Sequence, residues 1–187
     1  MNESRRKLLQ RGLMAAPLLP SLHSAPLTLG ETSAPAEQWY WYPGDNFCMK
    51  STGKETAGKI TWMLNEDSPH EGVPFHKHLY EDESFYVIDG LFEISIGDQT
   101  ILGGPGTGAF GPRNVPHRWT NVGSSRGRIL GVFTPSGIEG YFLSVGIPIK
   151  NSSEQPSVNV AEFQARTASA REKYGLTRTG PLKFPTP

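Results

Sequence analysis

The sequence predicts an all-β fold, a sandwich or small barrel of short strands, with two short helices after it. Three observations carry that reading. Short apolar runs succeed one another through the middle of the chain, each ended by a turn signal. Twenty-one glycines and sixteen prolines among 187 residues supply the many reversals such a fold needs. Two stripes of helical period follow the last of the runs. The length suits one domain with a real core.

Residues 1–36 read as an address rather than as part of that fold. Ser4-Arg5-Arg6-Lys7-Leu8-Leu9-Gln10 resembles a twin-arginine export signal. A weakly apolar stretch runs from Gly12 to Leu19, and Ala34-Pro35-Ala36 offers a small-residue cleavage site before Glu37. The mature chain is therefore expected to be exported, to the periplasm or the exterior, after cleavage near Ala36. The barrel is expected over residues 37–150, and a C-terminal helix with an extended tail over 151–187.

Losing the leader removes four of eighteen basic and two of eighteen acidic residues, leaving fourteen and sixteen, a net charge of −2. That balance offers no basic footprint for nucleic acid and no attraction to an anionic membrane surface. No window of about eighteen apolar residues is present to span a bilayer as a helix. Cys48 is the lone cysteine, so no intrachain disulfide can form.

Seven runs of strand character come in order. Lys59–Leu64 is β-rich and is read as ending in a turn cluster, Asn65-Glu66-Asp67-Ser68-Pro69. Glu83–Ile88 is the clearest strand, and the Asp89-Gly90 pair after it is read as a hairpin turn. Leu91–Ile96 alternates cleanly and is expected to return from that hairpin. Gly97-Asp98 makes the next turn, and Gln99–Leu102 the next strand. Thr107–Phe110, His117–Val122 and Arg126–Thr134 complete the set. Helical signals follow. Ser136 and Glu139 have capping-box spacing, and Ile138, Tyr141, Phe142 and Val145 form one apolar stripe that stops at Gly146. Asn159 opens a second helix, again box-spaced with Glu162, which runs to Tyr174 before Gly175.

Four residues of this chain are typical divalent-metal ligands: His76, His78, Glu83 and, thirty-four residues after the glutamate, His117. A strand puts residues i and i+2 on one face, so His76 and His78 point together and Lys77 points away. Two imidazoles on one face can share an ion about 2 Å from each nitrogen. Glu83 has the wrong parity for the same uninterrupted strand, so the chain must bend through Leu79–Asp82. His117 arrives from a separate strand. Glu81 and Asp82 are rival carboxylates; the six residues between Glu83 and Gly90 favour Glu83. His70 is read as an ordinary histidine without a ligand role.

These residues resemble the two motifs of the cupin superfamily. The first, H-x-H-x(3,4)-E-x6-G, is met by His76, His78, Glu83 and Gly90. The second, G-x5-P-x-G-x2-H-x3-N, is met by Gly106, Pro112, His117 and Asn121. Two positions depart from the pattern. The glycine expected six residues before His76 is His70, and the central glycine of the second motif is Asn114, which also tolerates positive φ. The resemblance covers about residues 58–134. It implies a double-stranded β-helix, a jelly-roll barrel with the metal inside one open end. Within the superfamily the chain resembles single-domain quercetinase-like dioxygenases. That likeness lies in the four-residue gap before Glu83, the Phe85-Tyr86-Val87-Ile88 run, and the Phe133–Gly137 turn feeding Tyr141-Phe142.

The resemblance implies one divalent transition metal, iron, manganese, nickel, cobalt or copper, since mixed imidazole and carboxylate ligation suits all of them. It also implies a small aromatic or enolic substrate and dioxygen. Glu83 would serve as ligand and as catalytic base. Phe85 and Trp119, each two residues from a ligand on the same strand face, are the expected substrate contacts, with Trp62, Phe110 and Phe133 as further candidates. Rival readings are an isomerase, decarboxylase or oxidase on the same site, and a periplasmic binding protein without turnover. A homodimer is the default assembly expected from the resemblance.

Overall fold

The computed structural model describes residues 37–184. The expected export signal and its cleavage site fall outside that range. Among the described residues there are twelve strands and two helices. The first six strands are β1 (Trp39–Tyr42), β2 (Asp45–Ser51), β3 (Thr61–Asp67), β4 (Gly72–His78), β5 (Asp82–Asp89) and β6 (Phe92–Ile96). Then come β7 (Gln99–Gly103), β8 (Gly108–Gly111), β9 (His117–Asn121) and β10 (Gly127–Thr134). The C-terminal part holds α1 (Glu139–Val145), β11 (Ile147–Ile149), α2 (Val160–Tyr174) and β12 (Leu176–Arg178). Among the described residues no helix is long and apolar enough to cross a membrane.

The strands form two antiparallel sheets in a jelly-roll barrel. One has the order β11-β1-β2-β3-β10-β5-β8, the other β12-β4-β9-β6-β7. Inward and outward residues alternate as the strand period demands. In β5 Glu83, Phe85 and Val87 are buried, while Ser84, Tyr86 and Ile88 are exposed. Phe85, Val87, Phe92, Ile94, Trp119 and Ile129 make one apolar cluster. A second joins β1–β3 to the helices through Phe47, Met63, Phe133, Tyr141, Phe142 and Phe163.

Local turn chemistry and the fold agree in most places and part in three. Gly97, at φ 57°, opens the two-residue loop between β6 and β7, whose Ile96 and Gln99 face each other. Asp89-Gly90, by contrast, is not a hairpin. β5 pairs with β10 and β8, whereas β6 pairs with β7 and β9. The turn is a corner where the chain leaves one sheet for the other. Gly90 holds φ 87° there, and a Cβ on it would lie 2.7 Å from Gly127 Cα, so only glycine fits.

Asn65-Glu66-Asp67 is not a turn either. β3 runs on through Asp67, paired with both β2 and β10. Asn65 and Asp67 are fully buried and point inward, which is why polar residues lie in mid-sheet. Lastly, Ser136 does not cap α1. Glu139 instead accepts from the backbone N–H of Gly137 and Gly53 and from the Thr61 hydroxyl, fastening the helix start to the barrel. Asn159 does cap α2, accepting from Glu162 N–H, and Gly175 ends it at φ 66°.

The segment after α2 joins the barrel. Leu176–Arg178 pairs with β4 at the edge of the second sheet, with Leu176 opposite His78 and Arg178 opposite His76.

Candidate metal centre

His76 and His78 lie at the end of β4, Glu83 at the start of β5, and His117 at the start of β9. Each placement has a local cause. The irregular stretch 79–81 reverses parity between β4 and β5 and brings Glu83 inward. Before β9, Asn114 adopts φ 64° and donates its backbone N–H to His78 O, so the loop that delivers His117 is tied to the strand that delivers His78. His76 and His117 are register partners across β4 and β9. At the far end of β9, Asn121 donates to Asp67 O and Ser125 O and accepts from Gly123 N–H. His70, where the motif has glycine, takes φ 66° and so fills that position's backbone role.

The ligand atoms converge. The Nε2 atoms of His117, His78 and His76 lie 2.9, 3.2 and 3.8 Å from Glu83 Oε2. All four ligand atoms fall within 4.8 Å of one another. Donors sharing one ion at bonds of about 2.0–2.2 Å sit roughly 3 Å apart, which the two shorter distances match. His76 Nδ1 and His117 Nδ1 lie 3.0 and 2.9 Å from the carbonyls of Pro74 and Val115. Those contacts place the ring proton on Nδ1 and leave each Nε2 lone pair facing inward, the arrangement metal-binding histidines adopt.

A metal also answers a polar deficit. His78 Nε2 and Glu83 Oε1 are buried without a hydrogen-bond partner, and such groups are costly to leave unmatched. The residues therefore fit a divalent ion. Gly131 leaves room for the carboxylate: a Cβ on it would come 3.3 Å from Glu83 Oε1. Burial acts to raise the Glu83 carboxyl, but the three imidazoles around it outweigh that and hold the group well below the usual carboxylate range. Burial pulls His76 down to about 4, so its imidazole is neutral and its nitrogen free to bind metal.

The rival carboxylates are placed elsewhere. Asp82 faces out and makes an ion pair with Arg113 at 2.8 Å. Glu81 Oε2 lies 3.9 Å from His78 Nδ1, on the ring's other side from the cluster, and burial raises its carboxyl.

A cavity of about 30 Å³ adjoins His76 and Glu83, room for about two waters as it stands. Trp119 lines it, together with Tyr42, Tyr141 and Phe142. Phe85 is not among the lining residues; its ring packs 5.5 Å from His117 and 5.4 Å from Trp119. Phe133 is buried against His78 at 5.5 Å. Trp62 and Phe110 point outward, 42% and 56% exposed, so they are not pocket residues. Sequence pattern singles out neither Tyr42 nor Arg178, and marks Tyr141 and Phe142 as part of an apolar helical stripe. Arg178 carries no local signal, because only the distant pairing of β12 with β4 brings it to the cavity.

The fold is a jelly roll with a ligand set that could hold a metal ion, and part of the chain matches a cupin family model. Residues 63–133 match the family model described as a cupin domain. Over 95 residues, 51% of this chain and 28% of the relative, it is 27% identical to the quercetin 2,3-dioxygenase of Bacillus subtilis (strain 168). Over 62 residues, 33% of this chain and 45% of the relative, it is 34% identical to Protein SchB of Streptomyces halstedii. The matched stretches thus span less than half of either curated relative.

Among solved structures, KdgF from Halomonas sp. overlays with a TM-score of 0.50 at 16% identity, covering 55% of this chain and 89% of that one. An RmlC-like cupin from Shewanella frigidimarina NCIMB 400 gives a TM-score of 0.50 at 16% identity, with 58% and 91% covered. At that identity the overlays speak for the fold alone.

Proposed function

We propose that the protein is a metal-dependent dioxygenase acting on a small aromatic or enolic molecule. The observation that carries this reading is the four-ligand cluster opening onto a cavity walled by Trp119, Tyr141 and Phe142. Likeness to a quercetin 2,3-dioxygenase over half of the chain points the same way.

His76, His78, Glu83 and His117 would hold one iron, manganese, nickel, cobalt or copper ion, which supplies Lewis acidity and a common anchor for substrate and dioxygen. The chain's own residues do the rest. Glu83 is ionised and has one oxygen without a hydrogen-bond partner, which suits it to take the proton of a substrate hydroxyl. Trp119 is fixed by its own hydrogen bond to Asp67 and offers a rigid face to a ring. The free volume of about 30 Å³ is smaller than one ring, so a substrate must displace the cavity walls, and a single ring needs less displacement than a flavonol.

The proposal extends to place and assembly. Export through the twin-arginine route would carry a folded, metal-loaded chain out of the cytoplasm. A homodimer would cover the outer row Trp62, Val132, Ser84 and Phe110, which are register neighbours across β3, β10, β5 and β8 and include two exposed aromatic rings.

The test is oxygen uptake by the metal-loaded protein with a panel of catechols, hydroxybenzoates, enols and flavonols. Uptake with single-ring substrates is expected. A stoichiometrically loaded protein that consumes no oxygen with any of them would overturn the dioxygenase reading and leave a binding protein or an isomerase.

A further inference from the structure

Beside the metal cluster lies a guanidinium with two buried nitrogens left without a partner among the described residues. Arg178 stands opposite His76 in the pairing of β12 with β4, so both side chains project from the same face of the sheet. Register partners have Cβ atoms about 4.5–5.5 Å apart. Arg178 lines the cavity that His76 and Glu83 also line. Its Nε and Nη1 are buried, and among the described residues neither has a hydrogen-bond partner. Buried N–H groups of a guanidinium are costly to leave unmatched, and their planar fork matches a carboxylate.

Two hydroxyls add to the same pocket. Tyr42 and Tyr141 are both buried, and their oxygens lie 2.8 Å apart. Burial raises both phenols, so both keep their protons, while the Arg178 charge acts on each in the opposite direction. A pair of hydroxyls spends one proton between its members and leaves the other free to donate. Acidic groups facing this corner are Glu83, which the three imidazoles already engage, and Asp45, whose field is felt by Tyr42.

We infer that Arg178, with Tyr42 and Tyr141, forms a carboxylate-binding subsite beside the metal, so that the substrate is a small molecule with an apolar body and an anionic carboxylate. The subsite deepens the dioxygenase reading by naming a substrate class, and it rests on that reading only for turnover. Arg178 is a specificity residue here. The cavity walls Trp119 and Phe142 hold the apolar body, and the guanidinium selects for the charge.

The experiment uses the full metal-loaded chain and two probes of nearly equal shape, benzoate and benzamide, with binding followed by calorimetry. Benzoate is expected to bind at least tenfold more tightly than benzamide. Arg178→Gln is expected to abolish that preference with metal content and melting temperature unchanged, and Arg178→Lys to restore part of it, which a purely structural role would not do. Tyr42→Phe is expected to weaken benzoate by less than Arg178→Gln does. Equal binding of the two probes to the wild type, or an undiminished preference in a folded, loaded Arg178→Gln protein, would overturn the subsite. Benzoate selectivity without oxygen uptake on the wider panel supports the subsite and sinks the dioxygenase. Oxygen uptake without selectivity sinks the subsite alone.

Discussion

The interior of the barrel holds two buried clusters of acidic groups, and they titrate in opposite directions. At the metal centre one carboxylate, Glu83, faces three imidazole nitrogens and is held well below its ordinary range despite complete burial. Deeper in, Asp45 and Asp67 sit against each other with one strong donor, the Trp119 N–H at 2.9 Å from Asp67 Oδ2. There burial wins: Asp45 is pushed up to about 7, and Asp67 is raised well above its usual value. Trp119 links the clusters, since its ring also lies 6.3 Å from that of His76. Burial alone makes a carboxyl neutral, and the groups placed around it decide whether it stays so. The first cluster is built to stay charged and receive a cation. In the second, burial favours the neutral, protonated form.

Breaking the first cluster should have the largest effect. Glu83→Ala and His117→Ala are each expected to weaken metal affinity by more than about a hundredfold, beyond the penalty known for second-layer partners, read by metal analysis after dialysis. Full retention of metal in either variant would refute the ligand set.

The second cluster should show itself in pH. The folded pair keeps a proton that the unfolded chain releases near the ordinary carboxylate value. Between about pH 4 and 7 the folded state therefore binds more protons, and stability falls as pH rises. Asp45→Asn removes that loss. Its melting temperature should match the wild type near pH 4 and exceed it increasingly toward pH 8. A constant difference across that window would contradict the retained proton.

Trp119→Phe sharpens the link between the clusters. It keeps a ring but removes the N–H from Asp67, and should cost about 1–3 kcal/mol in denaturant unfolding. An unchanged midpoint would show that the hydrogen bond does nothing for Asp67. The smallest effect belongs to Asp82, the carboxylate next to the ligand. The side chain and backbone N–H of Arg113 lower it to about 2, yet the pair lies at the surface. Arg113→Ala should leave metal content and melting temperature as they were, because surface pairs contribute little.

The contrast also explains what the sequence could and could not reveal. The ligands were legible because strand parity and turn residues are local: His76 and His78 share a face, the bend at 79–81 turns Glu83 inward, and Asn114 and Asn121 hold the loops around His117. Glu83 was separable from Glu81 and Asp82 by its spacing to Gly90. Asn65 and Asp67 were misread as a turn, because polar residues signal a turn unless the fold buries them. Asp89-Gly90 announces a reversal correctly but says nothing about which sheet receives the next strand. Arg178 and Tyr42 were invisible for a similar reason. Arg178 matters through β12 pairing with β4 about a hundred residues away, and Tyr42 through meeting Tyr141, 99 residues on; no local pattern encodes either.

The central claim is that His76, His78, Glu83 and His117 hold one metal ion. X-ray absorption at the edge of the bound metal tests it most directly, on full-length protein with its metal content measured in the same sample. One ion per chain is expected, with nitrogen and oxygen neighbours at about 2.0–2.2 Å and outer-shell scattering from three imidazoles. A spectrum without imidazole scattering, or a metal bound through the sulfur of Cys48, would contradict it.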